Sequence, residues 1–443
     1  MKILLITYYY KHKNAMASVR AVKLSKYLSR AGHNVTVLTS NQIDTWTKSY
    51  SEPVKDDFIA EYYAPQVKRW SLINKYLAKR KRKGMARISA QADISKQNST
   101  ATKKNLKSRI KGYLSWLFYF TLAKQEDICM FKGLKKEYKK NIGEHFDVAI
   151  ATYPTFGAFL MGMWLRKRGY CDRLIADFRD PLYNPGFRNR KKESDYDKKC
   201  LEHIVYRADK LVCVSRGIAD GIKEQCSCTD KPIDIITNGF DEDDVLESNM
   251  DVNFDNTKIN FVYVGALYHG KRCVDMLAAV LRELIDCGEI DNNSFAFHYA
   301  GSDYNELIAQ LKEYNLDATA VNHGFVSRVE SISMQKRASA LLLLTWNETS
   351  YTGVVPGKLF EYMAIKNIPI IALITGDAPD SEVARMIRSC EAGYATEEAE
   401  KDLSGLKEYV LRLFKGEIRQ NGNADIYSYE NISRKYADFI KEK

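Results

Sequence analysis

The chain has 443 residues, 45% of them hydrophobic and 28% charged, which is typical of a globular protein and excludes disorder throughout. Its length fits two α/β domains of about 200 residues each. No apolar run approaches the roughly 18 residues that span a bilayer, and the opening apolar run is too short for a signal peptide. We therefore expect a cytoplasmic protein, in which nine thinly spread cysteines form no disulfide framework.

The net charge of +11 is concentrated in one segment. Between Gln66 and Gly112 there are fifteen basic residues and one acid, Asp93, so this segment carries +14 and the rest of the chain −3. An aromatic stretch, 113–123, follows. Cations beside aromatic rings are typical of a helix lying on anionic lipid, and we predict that a basic and aromatic insertion at about 66–125 binds a membrane surface. A solvated loop beside a core helix is the alternative. Nucleic acid is not expected, because the aromatics do not alternate with the charges.

Strand and helix patterns alternate through the first half of the chain. A buried strand at 2–7, an amphipathic helix at 17–31 and a second strand at 34–39 predict a βαβ unit, which requires a parallel sheet. Further strands are predicted at 147–152, 173–178, 210–215 and 233–237. We expect a Rossmann-like domain at 1–245.

The pattern restarts after a polar patch at 241–258, which we interpret as a linker. The second half is predicted to form another Rossmann-like domain at 258–415, followed by a terminal helical segment, 416–443, that packs back on the first domain. Its predicted strands lie at 259–265, 295–300, 321–325, 341–345 and 368–373. The fold class is therefore α/β, with two doubly wound parallel-sheet domains facing a central cleft. Ligands of open α/β sheets bind beyond the carboxyl ends of the strands, so we expect function in that cleft.

Several familiar sites are absent from the sequence, including Gly-x-Gly-x-x-Gly, His-Glu-x-x-His and Cys-x-x-Cys. The loop from Gly265 has the glycine spacing of a phosphate-binding P-loop, with Gly270 and Lys271. However, Arg272 replaces the hydroxyl residue that binds magnesium, so ATP hydrolysis is not expected. Metal-free phosphate binding and a solvated basic turn remain open for this loop.

A sharper pattern lies in the segment 352–364, Thr-Gly-Val-Val-Pro-Gly-Lys-Leu-Phe-Glu-Tyr-Met-Ala. Proline followed by glycine opens a helix whose first amides, near Gly357 and Lys358, suit an anion such as a diphosphate. Glu361 lies one turn later, where its carboxylate can accept two hydrogen bonds from a ribose diol. An ordinary glutamate at a helix start is the alternative.

In combination, these features resemble retaining glycosyltransferases of family 4, which have the GT-B fold, over nearly the whole chain. Two segments, 152–155 and 175–181, resemble the exopolysaccharide and capsule group of that family. The other matching segments are 30–39, 208–215, 236–241 and the helix start at Lys358–Glu361 with Ala364 and Pro369.

The resemblance implies an enzyme that transfers a sugar, with retention, from a nucleotide-diphosphate sugar, most commonly a UDP-sugar. The acceptor would be a hydroxyl of a glycan or lipid-linked glycan in cell-surface polysaccharide biosynthesis. The enzyme would lie peripherally on the cytoplasmic face of the membrane, with no cofactor and no metal. A nucleotide-sugar epimerase of the same fold is an alternative, as is a non-catalytic protein that binds lipid or nucleic acid.

The resemblance also implies site residues. The residues expected to bind the donor are Gly265, Gly357, Lys358, Leu359 and Glu361, and Glu361 is expected to contact the ribose. Catalytic roles are expected for Lys271 or Arg272, which would neutralise the departing diphosphate, with Lys271 preferred, and for Asp180. On the acceptor side, the cleft would be lined by Ser18, Arg20, Asp177 and Arg179. For Asp177, Arg179 and Asp180, a salt-bridged strand end is the alternative.

Two departures from the family pattern stand out. Members often carry a second glutamate eight residues before the ribose-binding one, but that position is Gly353 here. The arginine that often follows the strand-ending glycine is replaced by Ala266. These departures leave the identity of the transferred sugar open.

Overall fold

A computed structural model of the protein describes most of the chain. The described residues are 1–11, 16–41, 59–73, 124–181, 191–226, 231–246, 250–268, 270–349, 352–401, 403–418 and 422–442. Most of the predicted membrane-binding insertion, including the whole stretch 113–123, lies outside these ranges, so that prediction stays a prediction. Across the described ranges, no helix is both long and apolar enough to cross a bilayer.

The chain divides into two compact units, and the first is built on a seven-stranded sheet of order β3-β2-β1-β4-β5-β6-β7. The pairings that join β3, β2, β1, β4 and β5 are parallel. The strands are β1 Lys2–Ile6, β2 Asn34–Ser40, β3 Ala60–Ala64, β4 Phe146–Tyr153, β5 Cys171–Phe178, β6 Lys210–Cys213 and β7 Ile233–Ile235. The named helices between them are α1 Met16–Arg30, α2 Phe156–Lys167, α3 Lys191–Arg207 and α4 Arg216–Gln225, and residues 216–221 of α4 group with the second unit. Residues 124–137 form a further helix that ends in a π-helical turn, Tyr138–Ile142.

The central strands of this sheet are apolar, as is typical of parallel sheets whose two faces are covered by helices. Every residue of β1 from Ile3 to Ile6 is at most 1% exposed. The predicted βαβ unit at the start of the chain is confirmed. Gly32 lies between the end of α1 and the start of β2, and its φ of +83° favours glycine. The edge strand β3 is an element that the sequence reading missed, because Ala-Glu-Tyr-Tyr-Ala pairs on one side only and lacks a continuous apolar run.

The second unit contains a six-stranded sheet of order β10-β9-β8-β11-β12-β13, whose pairings are parallel. Its strands are β8 Ile259–Val264, β9 Phe295–Ala300, β10 Ala320–Gly324, β11 Ala340–Trp346, β12 Ile370–Thr375 and β13 Gly393–Glu397. The α-helices from residue 242 onward are α5 Glu242–Leu246, α6 Asp275–Asp286, α7 Tyr304–Lys312, α8 Arg328–Lys336, α9 Gly357–Ala364, α10 Glu382–Ser389, α11 Ser404–Phe414 and α12 Tyr429–Lys441.

Both sheets place their first strand beside their fourth, so the strand order reverses between β1 and β4 and again between β8 and β11. Two buried clusters cover the two faces of the second sheet. The five predicted strands of this half are confirmed within about two residues, and β13 was missed because it is a short edge strand. The prediction of two doubly wound parallel-sheet domains is confirmed.

The polar patch at 241–258 has more structure than a plain linker. It contains α5, and its Phe254 ring stacks on His298 of β9 with 3.8 Å between ring centres. The terminal helix α12 begins beside Phe240, whose carbonyl accepts from the Tyr429 amide at 2.7 Å. These contacts tie the segment before the second sheet to the end of the chain.

Candidate functional site

The carboxyl ends of β8 and β11 lie side by side in the second sheet, and Gly265 follows β8 directly. Its φ is +142°, and a Cβ built on it would lie 2.9 Å from Cε and 3.6 Å from Nζ of Lys358. A side chain at position 265 would therefore collide with the lysine. The structure brings together two residues predicted for donor binding that are far apart in the sequence.

Lys358 stands in the first turn of α9, which begins after Pro356 and is anchored in the core by the fully buried Leu359. Burial lowers the pKa of the Lys358 ammonium, Glu361 opposes that shift, and Arg272 and Arg328 lower the pKa further. Within the described part of the chain this ammonium has no hydrogen-bond or ion-pair partner. It is a desolvated cation beside the helix amides at Gly357, an arrangement that favours an anionic ligand.

Glu361 lies one turn along the same helix, with its side chain 11% exposed. Its Oε1 accepts from Nε2 of the buried Gln335 at 2.8 Å, and its Oε2 accepts from Arg328 Nη1 at 3.2 Å. Arg328 in turn donates to Asp244 at 3.2 Å. Because a carboxylate offers about four lone-pair sites, Glu361 retains acceptor capacity for a diol while two neighbours fix its orientation.

The two cations of the Gly265–Arg272 loop have different surroundings. Lys271 Nζ lies 3.1 Å from the Glu348 carboxylate. Arg272 Nη1 donates to the carbonyl of Ala266 at 3.2 Å and approaches the Tyr263 hydroxyl at 3.4 Å. That hydroxyl is 3.6 Å from the Cβ position built on Gly265, and the Arg272 charge is close enough to Lys358 to lower the pKa of its ammonium.

Gly353 explains one departure from the family pattern. Its φ is +79°, and a Cβ there would lie 2.6 Å from the Cα of Gly217, which belongs to the same compact unit. A glutamate cannot occupy this position in the present backbone. The missing carboxylate therefore has a structural cause, namely the contact of two glycine backbones.

In the first unit, Arg20 and Asp177, which are predicted to line the acceptor side of the cleft, pair with each other. Arg20 donates to Asp177 from Nε at 3.1 Å and from Nη2 at 2.8 Å, and Thr152 Oγ1 adds a third hydrogen bond at 3.3 Å. Both charged side chains are at most 1% exposed. These contacts form the salt bridge given as the alternative for Asp177, and a contact of either side chain with an acceptor stays a prediction.

The other predicted residues of this unit lie near the same strand end. Arg179 donates to the Ala17 carbonyl and lies over the Tyr9 ring, and its Nε is 3.8 Å from Asp180. The Asp180 side chain is 59% exposed and available to solvent. Ser18 is half-buried in α1.

Sequence reasoning missed four side chains that surround the site: Tyr263, Tyr268, Gln335 and Trp346. Tyr263 is buried, and burial raises the pKa of its hydroxyl to about 12, so it stays protonated and donates to Ala266 O at 2.7 Å. The one available signal was position, since Tyr263 and Trp346 stand at the ends of predicted strands.

No family model matches the chain, and no curated protein matches it. Solved structures match over almost its whole length. A sucrose-phosphate synthase from Thermosynechococcus elongatus has 12% identity and a TM-score of 0.58, covering 99% of this chain and 98% of its own. The lipopolysaccharide outer core galactosyltransferase WaaB has 14% identity and a TM-score of 0.53, covering 99% of each chain. TarM has 12% identity and a TM-score of 0.56, covering 100% of this chain and 99% of its own.

The chain has the GT-B fold. At sequence identities of 12–14%, these structural matches establish the architecture of the chain and not its reaction. Within the GT-B architecture of this chain, Gly265, Lys358 and Glu361 gather where the second sheet reverses its strand order, the place where open α/β sheets bind ligands.

Proposed function

We propose that this protein is a retaining glycosyltransferase that moves a sugar from a nucleotide-diphosphate sugar, with UDP as the expected nucleotide, to a hydroxyl of a glycan or lipid-linked glycan. The proposed setting is cell-surface polysaccharide biosynthesis on the cytoplasmic face of the membrane. The basic and aromatic insertion at about 66–125 would hold the enzyme on anionic lipid. Membership of family 4 is part of this proposal.

One observation carries the proposal: Lys358, a desolvated ammonium with no ion-pair or hydrogen-bond partner among the described residues, lies against Gly265 and three residues before Glu361. A diphosphate supplies a negative charge for this ammonium, and the amides of Gly357 and Lys358 at the helix start supply further donors. The Glu361 carboxylate, oriented by Gln335 and Arg328, accepts from the ribose diol. A cation and a carboxylate at this spacing fit a nucleoside diphosphate.

Catalysis in this proposal is electrostatic. The charge that develops on the departing diphosphate is stabilised by preorganised amides and cations, each donor being worth roughly 3–4 kcal/mol when the site excludes water. Asp180, exposed after β5, is proposed to orient the acceptor hydroxyl. The proposal includes no divalent metal and no cofactor.

The test is a thermal-shift panel of UDP, GDP, ADP and CMP with their sugar conjugates, in EDTA. A ligand that binds only the folded state stabilises it by about 2.7 kcal/mol at 100 times its dissociation constant. We expect one nucleotide family to stabilise the wild type and to lose that effect in Glu361→Ala. Glu430→Ala is the matched control, because Glu430 is exposed on α12 and pairs with Arg434 of the same helix.

The absence of a shift from every nucleotide would refute the proposal. A shift accompanied by epimerised free donor, formed without any acceptor, would replace the transferase with a nucleotide-sugar epimerase.

A further inference from the structure

The carboxylate of Glu382 lies at the start of helix α4. Its Oε1 accepts a hydrogen bond from the Arg216 amide at 2.6 Å, and its Oε2 accepts one from the Gly217 amide at 3.1 Å. Glu382 is the first residue of α10, and residues 213–221 group with the same compact unit. Two neighbouring amides at the positive end of a helix dipole therefore hold this negative side chain in a fixed orientation.

Helix α4 has a capping side chain of its own. Ser215, which is fully buried, precedes the helix, and its Oγ accepts from the Ile218 amide at 3.3 Å. Serine is among the residues preferred at this position, and a bond to the third amide of the helix is its usual contact. The helix start would therefore be capped without Glu382, which adds a full negative charge from another helix.

The Glu382 carboxylate keeps unused acceptor capacity. Among the described residues, its hydrogen-bond partners are the two amides of α4, and no lysine or arginine forms an ion pair with it. A carboxylate offers about four lone-pair sites, so two remain. The side chain is partly exposed. An oriented and accessible acceptor with no paired cation suits the hydroxyl groups of a neutral ligand.

Glu382 also lies at the edge of the second sheet where ligands are expected. Helix α10 begins shortly after the carboxyl end of β12, the strand that pairs with β11. A Cβ built on Gly353 would lie 3.1 Å from Glu382 Oε2, and the segment from Gly353 leads into α9, which carries Lys358 in its first turn. The structure therefore places a carboxylate beside position 353, which cannot carry one itself.

We propose that Glu382 accepts hydrogen bonds from hydroxyl groups of the sugar carried by the donor, and that this contact determines which sugar is transferred. This inference rests on the proposed transferase function and assigns a residue to the sugar, for which that proposal names none. A neutral sugar is rich in hydroxyl donors, whereas a uronic acid would bring a second carboxylate to Glu382. A site built to bind a hydroxyl rejects an analogue that lacks it, because the acceptor is then left unpaired.

The first experiment measures, by calorimetry without added metal, the affinities of UDP, GDP, ADP and CMP and of their neutral sugar conjugates. The quantity compared is the ratio of the Kd of a nucleotide alone to the Kd of its conjugate. Loss of a hydrogen bond to a charged group predicts that Glu382→Gln lowers this ratio by about tenfold or more. The Kd of the nucleotide alone should change by no more than about twofold, because only the sugar contacts Glu382.

Asp127→Asn is the matched control for the loss of a carboxylate that contacts a helix start. Asp127 lies in the first unit, and its Oδ1 accepts from the Gly157 amide in the first turn of α2 at 2.9 Å. This variant should leave the ratio at the wild-type value. Thermal unfolding without ligand reports the integrity of both variants. A merely structural role of Glu382 would lower stability and leave the ratio unchanged.

The second experiment changes the ligand and uses donors whose sugar lacks one hydroxyl, at each position in turn. At least one of these donors should bind the wild type about tenfold or more weakly than the parent conjugate. The same donor should show no further loss with Glu382→Gln, because the partner of the missing hydroxyl is already gone. Equal losses with both proteins would assign the hydroxyl to another residue and overturn the inference.

The outcomes separate this inference from the proposed function. An unchanged ratio in Glu382→Gln, or an equal loss for nucleotide and conjugate, overturns the inference and leaves the transferase proposal standing, because nucleotide binding persists. Binding of no nucleotide and no conjugate refutes both. If Glu382→Gln does not fold, Glu382→Asp takes its place in both experiments, since it keeps a carboxylate and withdraws it from the sugar by one methylene.

Discussion

Replacement of Arg20 by methionine tests whether the buried pair in the first unit is structural. The guanidinium donates to both Asp177 oxygens, and both side chains are at most 1% exposed. Without Arg20, the carboxylate keeps only the Thr152 hydroxyl at 3.3 Å among the contacts described above. Breaking a pair of this kind costs about 3–5 kcal/mol, because the remaining charge is buried without compensation. We expect the unfolding temperature to fall on the order of 10 °C.

The assay is urea unfolding followed by tryptophan fluorescence, with Trp70 and Trp164 reporting on the first unit. Arg166→Met is the matched control, because Arg166 makes a similar bidentate contact with Asp209 but its side chain is 42% exposed. The control should cost less than about 1 kcal/mol. The double replacement of Arg20 by Met and Asp177 by Leu should recover much of the stability, since apolar replacements of a buried pair are often neutral. Equal losses in Arg20→Met and Arg166→Met would refute the reasoning.

Three further predictions concern the second unit. Gly353→Ala should lower the free energy of unfolding by at least about 1–2 kcal/mol, because the φ of residue 353 is positive and the Gly217 backbone fills the space of a Cβ. Thermal unfolding measures this loss. Burial lowers the pKa of His298 to about 4 from 6.5, so the folded state resists its protonation and the free energy of unfolding should fall as the pH drops from 6.5 towards 4. His298→Gln should flatten that slope in urea titrations. Lys358→Gln should weaken nucleoside diphosphate binding by about tenfold or more in calorimetry, and unchanged affinity would contradict the proposed site.

Local patterns were sufficient for most of the architecture. Continuous apolar runs such as β8 and β11 predict buried parallel strands, because a strand covered by helices on both faces needs apolar side chains on both faces. The Pro-Gly start of α9 was also visible, since proline and glycine restrict the backbone locally. Edge strands such as β3 and β13 were missed, because half of their hydrogen-bonding capacity faces away from the sheet and their sequences are less apolar.

The site was predictable only where its chemistry is local. Lys358 and Glu361 lie within one helical turn, so their spacing reveals them. Arg20 pairs with Asp177, 157 positions later, and no local pattern distinguishes such a pair from two residues lining a cleft. The rings of Tyr268 and Trp346, which lie over the Arg272 guanidinium, likewise come from segments that follow or end two different strands. Contacts of this kind are set by the order of strands in the sheet.

The paired glycines at positions 217 and 353 also bear on how this sequence can evolve. Each excludes a side chain on the other, since a Cβ on Gly217 would lie 2.5 Å from the Cα of Gly353. A single substitution at either position meets the unchanged backbone of its partner, and even paired substitutions need the two segments to separate first. A change from glycine to a carboxylate residue at position 353 therefore passes through an intermediate of lower stability.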